Sequence, residues 1–109
     1  MQWHLICKQS DLVIDAGVAA MVNGQQVALF YVPEASEQVF AIGNWDPIGK
    51  ANVLSRGLVT HLNGQWSVAS PLYKQHYDLA NGCCVEQEAK VPVWPTKLVD
   101  GKVYIRQSN

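Results

Sequence analysis

The stretch Val68-Ala69-Ser70-Pro71-Leu72-Tyr73-Lys74-Gln75-His76-Tyr77-Asp78-Leu79-Ala80-Asn81-Gly82-Cys83-Cys84 decides how the rest of the chain is read. It begins apolar, as the end of a buried strand does. Pro71 then removes a backbone donor and stops the ladder. Tyr73 to His76 is a polar, aromatic tip. Tyr77-Asp78-Leu79 resumes alternation, and Asn81-Gly82 signals a tight turn. Strand, projecting loop, strand and turn follow one another, and a loop held at both ends by strands is a rigid carrier for a site.

Working outward, similar punctuation spaces strands along the whole chain. Trp3 to Lys8 is a first strand, and Ser10 is placed to cap a short helical turn through Ile14. Val18 to Val22 and Gln25 to Val32 flank Asn23-Gly24. Glu37 to Ile42 ends at Gly43, and Asn44 to Val53 is an irregular loop broken by Asp46-Pro47 and Gly49. Gly57 to Leu62 and Gln65 to Ala69 flank Asn63-Gly64. Gln75 to Leu79 and Cys83 to Glu86 follow. Val91 to Val99, an edge or broken strand because of Pro92 and Pro95, pairs with Lys102 to Arg106 across Asp100-Gly101. No stretch sustains a helical period. The pattern predicts an all-β sandwich or barrel.

The chain has 109 residues, 49% of them hydrophobic and 16% charged, which suits a single domain with one core. A net charge of −1 gives no broad basic surface for nucleic acid. No apolar run reaches the roughly 18 residues of a membrane span, and the first residues lack the pattern of a signal peptide. Three cysteines without pairing spacing suit a reducing compartment. The expectation is a cytoplasmic protein.

Ser70-Pro71-Leu72-Tyr73-Lys74, followed by Tyr77-Asp78-Leu79-Ala80-Asn81-Gly82, resembles the second cluster-binding box of Rieske domains. That box reads Cys-Pro-x-His-Gly, then an aromatic, Asp or Asn, Leu, two residues and Gly. Ser70 stands where the family has Cys, and Tyr73 where it has His. The wording from Ala69 to His76 is similar to the small-subunit branch of assimilatory NADH-dependent nitrite reductases, Rieske-like domains that lack the ligands. The resemblance implies an antiparallel β-sandwich with a small inserted subdomain at about residues 43–79, within one domain of residues 1–109. It also implies an accessory subunit with no cofactor of its own. Its partner would be a large subunit carrying FAD, sirohaem and an iron-sulfur cluster and reducing nitrite to ammonium.

A Rieske cluster needs Cys-x-His as well as Cys-x-x-His. Between Cys7 and His61 there is neither Cys nor His, so the first box is empty in any register. Leu54-Ser55-Arg56-Gly57 resembles the residues after that box. Counting back puts Pro47 and Gly49 at the ligand positions, or Asn44 and Asp46 if the loop is longer. Cys83, Cys84 and His76 are the raw material for another metal site, but adjacent strand residues point to opposite faces. Ser70, His61 and His76 with Asp46 or Asp78 are the raw material for nucleophilic catalysis, but no nucleophile-elbow frame surrounds Ser70. The sequence therefore predicts no catalytic, cofactor or metal residues.

The site it does predict is a partner contact at the tip, made of Trp45, Lys74, Gln75 and His76. Trp45 reads equally as subdomain core. Tyr73 is expected to turn inward and fill the place of the cluster. Arg56 is expected to brace Asp46. Trp3, Trp66 and Trp94 are expected in the core. Two other functions stay open: an electron-transfer domain with unusual ligands, and a small-ligand module in the vacated pocket.

Overall fold

The computed structural model describes residues 2–107. Its strands are β1 Gln2–Lys8, β2 Ala16–Val22, β3 Gln25–Tyr31, β4 Val39–Gly43, β5 Trp45–Asp46, β6 Ala51–Asn52, β7 Leu58–Leu62, β8 Gln65–Ala69, β9 His76–Asp78, β10 Val93–Trp94, β11 Thr96–Val99 and β12 Lys102–Gln107. They form four antiparallel sheets, in the orders β1-β12-β11, β10-β4-β3-β2, β5-β6 and β7-β8-β9. Among the described residues there is no α-helix, only 3-10 turns at Gln9–Asp11 and Leu54–Arg56.

β3 explains the layering. Its residues Val27, Ala28, Leu29 and Phe30 are all buried, with no polar residue between them. A run of that kind needs cover on both faces of its sheet. Val27 and Leu29 pack with Val22, Ala41 and Ile105 toward the β1-β12-β11 sheet. Ala28 and Phe30 pack with Phe40 and Ile42, and on that side meet Leu54, Val68, Tyr77 and Leu79. The second core thus joins the central sheet to the small sheets within residues 45–78, which carry the tip.

Three predicted hairpins close as expected. Asn23-Gly24, Asn63-Gly64 and Asp100-Gly101 all have positive φ at both residues, the backbone of two-residue turns whose twist matches the flanking strands. Asn81-Gly82 behaves differently. Asp78 Oδ1 accepts the Ala80 and Asn81 N–H groups at 2.8 and 3.4 Å, closing a side-chain turn one step earlier. Only Gly82 has positive φ there (78°). A Cβ on it would lie 2.1 Å from the Val91 carbonyl oxygen, so glycine is required. The strand expected over Cys83 to Glu86 reduces to isolated bridges, Tyr77 with Cys84 and Cys83 with Lys90.

Two further expectations change. Lys8, not Ser10, precedes the first 3-10 turn, and its N–H donates to Asp11 Oδ2 at 3.0 Å. Trp3 is 36% exposed rather than core. It lies on the outer face of its sheet, with Lys97 Nζ 4.6 Å and the Arg106 guanidinium 5.3 Å from its ring centroid. Two cations over an indole face hold it at the surface. Trp66 and Trp94 are half-buried, one packed on each core.

Candidate functional site: a buried carboxylate between two loops

Asp46 ends β5 and is completely buried. A carboxylate in that position is tolerated only if donors replace its water. The chain supplies five. The Ile48 and Gly49 N–H groups reach Oδ1 at 2.9 and 3.1 Å from Asp46's own loop. Ser70 Oγ, at the end of β8, donates to Oδ2 at 2.6 Å. Gln75 Nε2 lies 3.1 and 2.8 Å from the two oxygens, and the Tyr77 hydroxyl on β9 donates to Oδ1 at 2.8 Å.

The backbone is built for this approach. Ser70 N–H donates to the Gln75 carbonyl at 2.9 Å and Lys74 N–H to the Ser70 carbonyl at 3.0 Å, which folds the tip back on itself. A Cβ on Gly49 would lie 2.5 Å from Leu72 Cδ1 and 2.9 Å from Asp46 Oδ2. A side chain at residue 49 would therefore crowd the junction and force Leu72 to shift. Asn44, also buried, fastens the other end: its Nδ2 donates to Gln26 Oε1 at 2.9 Å and its Oδ1 accepts Ser55 N–H at 2.7 Å.

The electrostatics follow from the donors. Burial pushes the Asp46 carboxyl up. The bonds from Ser70, Gly49, Tyr77 and Ile48 outweigh burial and hold it below the usual carboxylate range. The Tyr77 phenol is raised by burial first and then by Asp46, so it stays a protonated donor.

Several expected roles move. Tyr73 is 71% exposed and fills nothing. Asp46, Ser70, Gln75 and Tyr77 meet between the loops instead. Gln75 turns inward and is 5% exposed, because its Nε2 donates to Asp46; it leaves the surface patch. Arg56 is exposed and does not brace Asp46, whose acceptor sites Ser70, Gln75 and Tyr77 already fill. Trp45 is 49% exposed, which settles its alternative readings in favour of the surface. Lys74 is exposed, and His76 is half-buried with Nδ1 2.6 Å from Glu86 Oε2. Burial raises the Glu86 carboxyl, but the His76 backbone and ring bonds together outweigh it and bring it below its usual range.

The alternative chemistries do not assemble. The Ser70 hydroxyl serves Asp46 and the His76 ring serves Glu86, so the two do not form a nucleophile and base. Cys83 is exposed while Cys84 packs on the core. Among the described residues no group of three or more His, Cys, Asp or Glu side chains is arranged to hold a metal ion.

Residues 2–106 match the Rieske-like [2Fe-2S] domain family. The nitrite reductase (NADH) small subunit of Salmonella typhimurium is 46% identical over 106 residues, 96% of this chain and 97% of that one. The chain belongs to the family of nitrite reductase (NADH) small subunits, within the Rieske-like fold. The solution structure of Escherichia coli NirD superposes with a TM-score of 0.87 at 41% identity, covering 99% of this chain and 98% of that one. The nitrite reductase [NAD(P)H] large subunit of Klebsiella oxytoca is 40% identical over 104 residues, which are 94% of this chain but 11% of that protein.

The family's description names an iron-sulfur group, and the two loops can be compared with what it requires. Such a cluster is held by thiolate and imidazole. The groups that converge here are a carboxylate, two hydroxyls and an amide, already bonded to one another. That donor set does not fit the cluster.

Asp46→Asn keeps the shape but puts an amide N–H₂ among donors. It should cost about 3 kcal/mol in urea unfolding, the scale of breaking a buried charged network. Asp46 is lowered in the fold, so its stabilisation is present above the unfolded-state value of about 3.9 and is lost as pH falls through the folded value. The Asn variant should therefore lack that segment of the acid unfolding profile.

The tip makes a separate prediction. Lys74 sits at φ 62°, where the Rieske box has Gly. Lys74→Gly should stabilise the fold by about 1 kcal/mol by relieving left-handed strain. Tyr73→Ala should change stability by less than about 0.5 kcal/mol, as at an exposed site. Thermal melts of both variants check this.

Proposed function

We propose that this chain is a cluster-free accessory subunit of a cytoplasmic NADH-dependent nitrite reductase. It docks on the large subunit, which carries the FAD, sirohaem and iron-sulfur centres and reduces nitrite to ammonium. The chain supplies no catalytic residue of its own; it supplies a rigid docking frame. The observation that carries the reading is the Asp46 network. The loops that hold iron in a Rieske box are here locked together by a carboxylate and its donors.

Association with a large subunit is supported by the Klebsiella oxytoca protein. A stretch 40% identical to this chain lies there inside one large-subunit polypeptide. Covalent joining in one protein argues for non-covalent joining in another whose segment is separate. The tip suits the contact. Trp45, Leu72 and Tyr73 are 49%, 44% and 71% exposed, with Lys74 beside them, and the frame beneath them is fixed. A preorganised surface loses little freedom on association, and aromatic residues next to a cation are typical interface anchors. No helix among the described residues is long and apolar enough to cross a membrane.

The test has two readouts. The purified chain, reconstituted anaerobically with iron and sulfide, should remain colourless; stoichiometric iron with acid-labile sulfide would overturn the cluster-free reading. Tyr73→Ala combined with Lys74→Glu should weaken co-purification with the large subunit at least tenfold and lower NADH-dependent nitrite reduction accordingly. One hot spot of about 2 kcal/mol suffices for that loss. Undiminished binding by the folded double variant would move the interface off the tip.

A further inference from the structure

A cleft of about 530 Å³ opens away from the Asp46 network. Its lining includes Glu34, Glu37 and Asp78, with Phe40, His61 and Trp66 as its aromatic side. No lysine or arginine among the described residues lines it. His61 stacks on Trp66 with ring centroids 4.1 Å apart and planes 13° from parallel, so the imidazole covers one indole face and presents its own outer face.

Asp78 is the group that points to a ligand. It is only 7% exposed. Its Oδ1 is taken by the Ala80 and Asn81 N–H groups. Its Oδ2 has no hydrogen-bond partner among the described residues and is not sealed from solvent. A carboxylate more than nine-tenths buried thus keeps one oxygen open where it lines the cleft. Beside it, a second cleft of about 360 Å³ shares Glu37, Phe40 and Ala80 and continues along Val39, Leu79 and Val93.

We propose that this paired cleft binds an organic cation of the guanidinium class with an apolar stem. The free Asp78 oxygen and the Glu34 and Glu37 carboxylates receive the planar N–H groups, and the outer face of the His61–Trp66 stack takes the planar guanidinium. The neighbouring cleft takes the stem. A compact, strongly hydrated metal ion fits poorly, because the carboxylates are spread around an aromatic wall and do not converge. The cation comes either as a free alkylguanidine or as an arginine side chain presented by the large subunit. The site itself does not depend on the docking surface proposed above.

The test titrates the full-length ¹⁵N-labelled chain with butylguanidinium and, in parallel, with butylurea, its neutral isostere. Butylguanidinium should shift the Trp66 indole N–H and the Ala80 and Asn81 amides saturably, and butylurea should not. Asp78→Asn disturbs the turn that Asp78 caps, so the variant is Glu34→Gln with Glu37→Gln, both exposed; it should weaken binding at least tenfold. Non-saturating shifts, equal shifts with butylurea, or an unchanged affinity in the double variant would each overturn the site. Displacement of bound butylguanidinium by the large subunit assigns the cation to a partner arginine. Retention assigns it to a free alkylguanidine and equally supports the site.

Discussion

The structure around the tip depends on one constraint: a carboxylate without access to water must be given donors by the chain. Asp46 is that carboxylate, and it collects them from three segments, residues 48–49, Ser70, and Gln75 with Tyr77. The constraint reaches well beyond the polar centre. Tyr77 donates its hydroxyl to Asp46 while its ring is fully buried in the core beneath Phe30 and Ile42's sheet. One residue thereby couples the polar junction to the apolar core. Gly49 lies close under Leu72 and Asp46 where the two loops approach. Taking away a single partner leaves the others buried and unpaired, which is why such networks act as a unit.

This junction gives the family resemblance a physical meaning. A Rieske box joins two loops through metal–ligand bonds. Here two loops in the same frame are joined through charge-assisted hydrogen bonds, which are short and directional but carry no electrons. The frame keeps its rigidity and changes its chemistry. Loops held rigid by such a network present side chains at a fixed spacing, and Trp45, Leu72 and Tyr73 are exposed on them.

The fold was largely legible in the sequence because its signals are local. Asn23-Gly24, Asn63-Gly64 and Asp100-Gly101 demand turns with positive φ at both residues, and the structure has them. The Gln25 to Val32 hairpin partner and the motif from Ser70 to Gly82 located β3 and the tip, but did not show that β3 is buried on both faces. The site was less legible because it is made by long-range pairing. Asp46 meets Gln75 and Tyr77 across 29 and 31 residues, and no spacing rule links those positions. Tyr73 and Gln75 look alike in a polar loop; which one turns inward is decided by the chain reversal closed by the Ser70–Gln75 backbone bond. Arg56 was the obvious cation for Asp46, but neutral donors had already satisfied it. A hint was present: Ser70 at the former cysteine position is a donor in search of an acceptor.

The most direct measurement of the central claim is the titration of the Asp46 side-chain carboxyl carbon by ¹³C NMR in the intact chain. The account predicts a folded-state pKa below the ordinary aspartate value of about 3.9, with the amide signals of Ile48 and Gly49 shifting in the same step. An Asp46 carboxyl that titrates at or above that value would contradict the account, because the donors would then not hold a charged group between the two loops.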